Sequence, residues 1–317
     1  MKLYSDGKRY LSFNEHLRTV FGEKVFKISL DAGFSCPNRD GAVSVGGCTF
    51  CSTRGSGDVV QAHTAPSSQQ HQAITLPEQF ELYKNKMRDK WPRGKFIAYF
   101  QAFSNTYAPV AVLRERFESI LRKEDVVGLS VATRPDCLPD DVIDYLAELN
   151  QRTFLWVELG LQTVFDRTAE LFNRGYRFEA YLTAVEKLRS QNIRVCTHII
   201  NGLPGESHEM MLETARKVAG LDVQGIKIHL LHLIKGTPMV ELHSSGGLRL
   251  LEREEYISLV CDQLELLPPD MVIHRLTGDA MRAKLLGPMW SINKWEILNA
   301  INWLLEERGS WQGKYYR

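Results

Sequence analysis

No apolar run of about 18 residues occurs anywhere in the sequence, so no membrane-spanning helix is expected. The first residues, MKLYSDGKRYLSF, lack the apolar stretch of a secretory signal, and a cytoplasmic location is the expectation. Net charge is nearly absent. Thirty-nine Lys and Arg against 38 Asp and Glu leave +1, which excludes a globally basic nucleic-acid binder but not a local basic face. No internal repeat, low-complexity tract or long charged tail is present. Gly202-Leu-Pro-Gly205 is too short for a phosphate loop and lacks its Lys-Ser/Thr. Cysteine is scarce, with six in 317 residues. In a reducing compartment so few point to metal binding or catalysis rather than a disulfide framework. Cys137, Cys196 and Cys261 are isolated and are expected to be small buried hydrophobes. The other three sit together.

The apolar fraction of 44% and the charged fraction of 24% are those of an ordinary globular chain, long enough for one large domain or two small ones. Apolar, often β-branched runs recur at 25–30, 96–100, 126–131, 154–161, 195–200 and 226–231. Amphipathic stretches such as 112–121, 142–149, 180–188 and 211–218 alternate with them, which reads as βα units around a parallel sheet. Six consecutive units without a Rossmann glycine fingerprint favour an open barrel over a doubly wound sheet. Beyond residue 231 the pattern changes to a helix at 253–266 ended by Pro268-Pro269, a short strand at 271–276 and a Trp-rich helix at 292–305. The expected organisation is a lead-in (1–24), an α/β partial (βα)6 barrel (25–247) and a small C-terminal α/β extension (248–317), with His243–Gly247 as the linker.

The clustered cysteines lie in Gly33-Phe-Ser-Cys36-Pro-Asn-Arg-Asp-Gly-Ala-Val-Ser-Val-Gly-Gly-Cys48-Thr-Phe-Cys51, just after the first expected strand. Glycines at 41, 46 and 47 let a backbone wrap closely around a bulky group. Structural zinc sites and ordinary ferredoxin clusters take four protein ligands, whereas the local count here stops at three. His63 or His71 could complete a Cys3His zinc site, as in a non-catalytic RNA-binding protein. Otherwise one iron of a cubane stays open, the mark of a catalytic centre.

In an α/β barrel, chemistry gathers at the C-terminal ends of the strands. Polar residues fall there on five consecutive strands: Gln101, Ser104, Asn105 and Thr106; Thr133, Arg134 and Asp136; Glu158 and Gln162; His198 and Asn201; His229, His232 and Lys235. His229 and His232 are expected on opposite faces of a strand and so not as a paired metal site. A basic run, Lys84, Lys86, Arg88, Lys90, Arg93 and Lys95 with Trp91, is either a solvated helix face or a phosphate-contacting patch. The tail Gly313–Arg317 is a weaker candidate of the same kind.

The cysteine loop, with Phe50 before its last cysteine, resembles the cluster loop of the radical S-adenosylmethionine (SAM) superfamily. The C-x11-C-x2-C spacing resembles the branch related to the Elp-type tRNA-modifying enzymes. FSCPNRDG, GGCTFC, YFQAFSNTY, TRPDCLPD, ELGLQT, NRGY, HIINGLPGE and HLLHLIKGTP resemble the bacterial YhcC/YtqA group, with its MnmL-type wobble-uridine proteins. The resemblance implies a radical SAM partial barrel, a [4Fe-4S] cluster on Cys36, Cys48 and Cys51, and reductive cleavage of SAM to a 5′-deoxyadenosyl radical. It implies SAM contacts from Phe50, Gln101, Ser104, Glu158, Gly160, Gln162, Arg174 (to the carboxylate) and His198, and a turn beneath the adenine at Gly202–Gly205. It further implies tRNA as partner, an electron donor such as flavodoxin or ferredoxin, and conversion of 5-carboxymethylaminomethyluridine to 5-aminomethyluridine at U34. Another RNA or a small molecule is the alternative substrate.

Overall fold

The computed structural model describes residues 3–53, 55 and 74–317. The chain opens on helix α1 (Phe13–Phe21), capped by the Ser12 hydroxyl, which accepts from the Glu15 N–H. Six βα-type strands follow: β1 (Val25–Leu30), β2 (Lys95–Phe100), β3 (Val126–Thr133), β4 (Phe154–Gln162), β5 (Arg194–Asn201) and β6 (Gly225–Leu230). They lie within a residue or two of the six apolar runs. A strand covered on both faces needs apolar side chains in both directions, and β4 is buried at six of its nine positions. Between them run α2 (Leu76–Lys90), α3 (Val110–Leu121), α4 (Asp140–Arg152), α5 (Asp166–Leu171), α6 (Phe178–Ser190) and α7 (His208–Ala219). Helix α2 starts on a Thr75/Glu78 capping box with Pro77 in its first turn, which satisfies two orphan N–H groups.

After a two-residue strand β7 (Leu233–Ile234) come α8 (Met239–Ser244), α9 (Arg253–Leu266), β8 (Val272–Arg275), β9 (Leu285–Gly287) and α10 (Lys294–Glu307). The sheet order is β1-β2-β3-β4-β5-β6-β8, all parallel, curled into a half-barrel. The barrel therefore has seven strands rather than six. The seventh, β8, was expected in the C-terminal extension, but Gly225 and Ile226 of β6 pair with its Val272 and Ile273. Four residues are too few to announce their partner in sequence. The expected linker is also different, because His243 and Ser244 are the last turn of α8.

The N- and C-terminal segments close the lower end. The Ile273 N–H donates to Leu11 O at 2.8 Å, and the Gln312 side chain accepts from Leu11 N–H and donates to the Pro268 and Met271 carbonyls. Beneath the sheet a cluster of Trp156, Cys196 and Val272, packed by Leu11 and Phe13, seals this end. The open end of the half-barrel is the C-terminal one, where the cysteine loop lies.

Candidate active site

One cavity of about 310 Å³ sits at that end. It is lined by Cys36, Cys48, Phe50 and Cys51 after β1, by Tyr99, Gln101, Phe103 and Ser104 from β2, and by Thr133 and Arg134 from β3. Glu158, Gly160 and Gln162 of β4, His198 and Ile200 of β5, Lys227 and His229 of β6, and Arg275 of β8 complete the inner wall.

Internal hydrogen bonds hold the cysteine loop in shape. Arg39 N–H donates to Cys36 O (2.8 Å), Cys51 N–H to Cys48 O (2.9 Å) and Gly47 N–H to Asn38 O (2.7 Å). Asn38 is wholly buried, and its amide donates to Asn173 O (2.6 Å) and to the Cys48 sulfur (3.6 Å). Gly175 must stay bare, since a Cβ there would lie 2.5 Å from Asn38 Oδ1. All three loop cysteines are free and half-buried. The Cys51 thiol donates to Cys48 and so lowers the Cys48 pKa, helped by the Arg134 guanidinium, while the Cys51 thiol is pushed up by that bond and by burial. Cys137, Cys196 and Cys261 are buried, and burial raises the thiols of Cys137 and Cys261 to about 12. Among the described residues, no group of three or more His, Cys, Asp and Glu is placed to hold a metal ion. His63 and His71, considered above as a fourth ligand, lie outside the described residues.

At the end of β4 the backbone is strained toward the cavity. Gln162 takes φ +65°, rare for a side-chain-bearing residue, and the β4–β5 register shifts between Gly160 and Gln162. This bulge turns Gln162 back over Gly160, whose added Cβ would meet Gln162 Nε2 at 2.6 Å. Tyr176 OH donates to Gly160 O (2.5 Å) and to Gln162 Oε1 (3.1 Å). Phe103 is likewise at φ +60°, with the Arg39 guanidinium 5.4 Å from its ring centre. Ser104 is fully buried at the cavity wall and, among the described residues, its hydroxyl has no hydrogen-bond partner. Phe50 leans on Phe172.

Of the expected SAM contacts, Arg174 lies outside the cavity lining and Glu158 lies in it with both oxygens already bonded. Arg174 is 0% exposed. Its Nε donates to Tyr176 O, its Nη1 to Leu161 O and Thr163 O, and its Nη2 to Asp166. Arg134 does line the cavity, with its guanidinium braced by Asp136 and by Arg174 O. Glu158 is at the cavity floor, yet its oxygens are already taken. Oε1 accepts from Lys27 and from Ser130 (2.5 Å), and Oε2 from Lys227 and from His198 Nε2 (2.8 Å). Burial alone would raise this carboxyl, but the Lys227 and Lys27 ammonium groups hold it well below the usual range.

Several strand-end polar residues are structural. Asn105 donates to the carbonyls of Phe100, Ala102 and Ala132, Thr106 bonds Thr133 and Cys137 O, and Asn201 pairs with Gln263. The Gly202–Gly205 turn is outside the lining. His229 and His232 both line the cavity, because β6 ends at Leu230 and strand alternation stops before His232. Lys27, Tyr99, Lys227 and Arg275 were missed. The available signal was a lysine in each of two otherwise apolar strands, which burial obliges to find a partner.

The basic run lies at the far end of the barrel, on α2 and the turn into β2, below the cavity. Lys84 and Arg88 are both paired with Asp125 (2.6 and 3.2 Å), so the patch is smaller than its sequence.

The fold and the cavity together define a class. A family model described as the Radical SAM superfamily matches residues 38–218, and the Radical_SAM C-terminal domain matches 223–307. The protein is 62% identical over 98% of its length to YtqA of Bacillus subtilis, covering 94% of that protein, and 38% identical over 94% to YhcC of Escherichia coli K12, covering 92%. The chain belongs to the radical SAM superfamily, enzymes that use a [4Fe-4S] cluster and SAM, and within it to the group of YtqA and YhcC. A tRNA uridine(34) acetyltransferase of Methanocaldococcus infernus is 26% identical over 56% of the chain and 33% of its own length. The solved Elp3 of that archaeon shares the fold, with a TM-score of 0.64 at 18% identity over 75% of this chain and 62% of that one. No helix among the described residues is long and apolar enough to cross a membrane.

Proposed function

We propose that Cys36, Cys48 and Cys51 hold a [4Fe-4S] cluster, that SAM binds across the cavity, and that the substrate is the wobble uridine of tRNA. The observation that carries this reading is one cavity lined at once by the three thiols and by polar side chains from the ends of successive strands. The donor set suits the cluster, since three soft ligands leave one iron open. When bound, the cluster and SAM supply a 5′-deoxyadenosyl radical able to remove a hydrogen atom from the substrate.

The chain's own residues bind and orient. Phe50 gives the adenine an apolar face. Gln101, Ser104 and Gln162 offer hydroxyl and amide partners, and the bare Gly160 lets ligand approach the backbone. Arg134, which lines the cavity, takes the methionyl carboxylate in place of Arg174. His198 and Glu158 form the floor through their mutual bond, with His198 nearer the ligand. An electron donor such as flavodoxin or ferredoxin completes the cycle.

Kinship to a tRNA uridine(34) enzyme supports that nucleoside as the target, and the reaction proposed on it is conversion of 5-carboxymethylaminomethyluridine to 5-aminomethyluridine. Loss of a hydrogen atom at the methylene between amine and carboxylate, then of the amine proton and one electron to an acceptor such as the oxidised cluster, would give an imine whose hydrolysis releases a two-carbon fragment. A half-barrel open at its side suits an extruded nucleoside. Nucleoside mass spectrometry of tRNA from a deletion strain tests this. The substrate nucleoside should accumulate and the aminomethyl product vanish. An unchanged nucleoside profile overturns it.

A further inference from the structure

At the cavity floor one carboxylate faces two lysine side chains. Lys27 on β1 binds Glu158 Oε1 and Lys227 on β6 binds Oε2. Glu158 is fully buried, and the side chains of Lys227 and Lys27 are 5% and 19% exposed. A single negative charge in such surroundings compensates one buried cation, not two.

Among the described residues, neither lysine has a second carboxylate partner. The imidazoles around Glu158 belong to His198 at 2.8 Å and His274 at 3.9 Å, and His229 packs on His198. Burial holds all three neutral: His198 falls to about 4, and the other two lie well below the usual range. The Tyr99 phenol and Cys196 thiol are raised by burial and stay protonated. Arg275 is already paired with Asp279 at 2.7 Å.

The two lysines are not equivalent. Lys27 is the more exposed, and its ammonium lies 5.1 Å from the Phe13 ring centre as well as 4.2 Å from that of Tyr99, two faces that favour a cation. Lys227 has only the Tyr99 face and is deeper. Burial, opposed by Glu158, brings Lys227 down to about 7.

We propose that Lys227 is the proton-exchanging residue of this site, moving between ammonium and amine, and that in the amine form its two N–H bonds are engaged by Glu158 and the Tyr99 hydroxyl (2.9 Å) while its lone pair is left for the cavity it lines. In the step this implies, an N–H of the substrate breaks, its electron pair stays with the substrate, and the proton joins Lys227 Nζ. The Glu158 carboxylate then faces two ammonium groups, which drives the proton back out to the product amine. The substrate amine rests on the uridine reading above, whereas the charge state of Lys227 does not.

Competitive acetylation of the reconstituted full-length protein with acetic anhydride across pH, read by peptide mass spectrometry, tests the charge state without tRNA. Surface lysines, titrating near about 10.4, serve as the internal reference. Lys227 should reach half-maximal reactivity at least about two pH units below them. In Lys27→Met, which gives Glu158 to Lys227 alone, that midpoint should rise by about one unit or more. A Lys227 that titrates with the surface lysines, that stays unlabelled where they react, or that ignores Lys27→Met overturns the proposal. With substrate in hand, Lys227→Met should lower turnover by about a hundredfold or more while SAM affinity holds, and Lys227→Arg, permanently charged, should not rescue it. A failed uridine assignment would leave the labelling result standing.

Discussion

Arg134 donates from Nη1 to the backbone carbonyl of Arg174 at 2.8 Å, so the Arg134 guanidinium in the cavity wall is steadied by the main chain of an arginine whose own guanidinium points elsewhere. The two arginines should therefore fail in different ways. Arg134→Gln should weaken SAM binding by roughly ten- to a hundredfold, about 1.5–3 kcal/mol, with little change in melting temperature. Arg174→Gln leaves three buried backbone carbonyls without their guanidinium donor and takes the ion pair from Asp166, and should cost about 3–5 kcal/mol of stability. Titration calorimetry beside thermal melts separates the outcomes. The opposite pattern would return the carboxylate contact to Arg174.

Gly160→Ala should lower SAM affinity with only a modest loss of stability. The new methyl group would displace the Gln162 amide from its seat at 2.6 Å, and Gln162 already holds an unfavourable φ. Unchanged SAM binding in this variant would remove the β4 bulge from the site.

Stability should fall as pH drops from about 7 to 5. Burial holds His198 and His232 down to about 4 in the folded chain, while the unfolded imidazole titrates near about 6.5. Between those values the unfolded chain binds protons that the folded chain refuses. The stabilising contribution is therefore complete above about 6.5 and lost as pH falls toward about 4. Each histidine accounts for on the order of 3 kcal/mol at most. Glu158, depressed in the fold, adds its loss only below the ordinary carboxylate range. Urea midpoints at pH 7.5 and 5 check this, and His198→Gln should flatten the dependence. A flat wild-type profile would contradict the buried neutral imidazoles.

The tRNA proposed above would enter at the cavity, whose lining includes Lys284, whereas the basic run lies at the far end of the barrel. Charge reversal at Arg282 and Lys284, which follow β8, should weaken tRNA binding and flatten its log–log salt slope by about two units. Reversal of Lys86, Lys90 and Arg93 at the far end should change neither quantity. Filter binding at several salt concentrations decides. Loss of binding in the second variant alone would place docking on α2.

Six of the seven barrel strands were legible because a doubly covered strand writes itself as a continuous apolar run. β8 was legible as a short strand but not as a barrel strand, since its pairing with β6 spans more than forty residues and is made by Val272, Ile273 and Arg275 alone among the described residues. The cysteine loop was legible from its spacing and glycines. The burial of Arg174 was not, because only packing shows that the Leu161 and Thr163 carbonyls claim its guanidinium. The floor of Lys27, Glu158 and Lys227 lies in between. Each is a lone charge in an apolar strand, but their meeting on three strands is a property of the closed sheet.

The most direct test of the central claim is iron and sulfide content after anaerobic reconstitution, measured beside SAM cleavage. Wild type should carry about four irons per chain and cleave SAM. Cys36→Ala, Cys48→Ala and Cys51→Ala should each lose both, while Cys137→Ala, Cys196→Ala and Cys261→Ala keep them. Full iron loading and SAM cleavage in Cys36→Ala would contradict the assignment of the cluster to these three thiols.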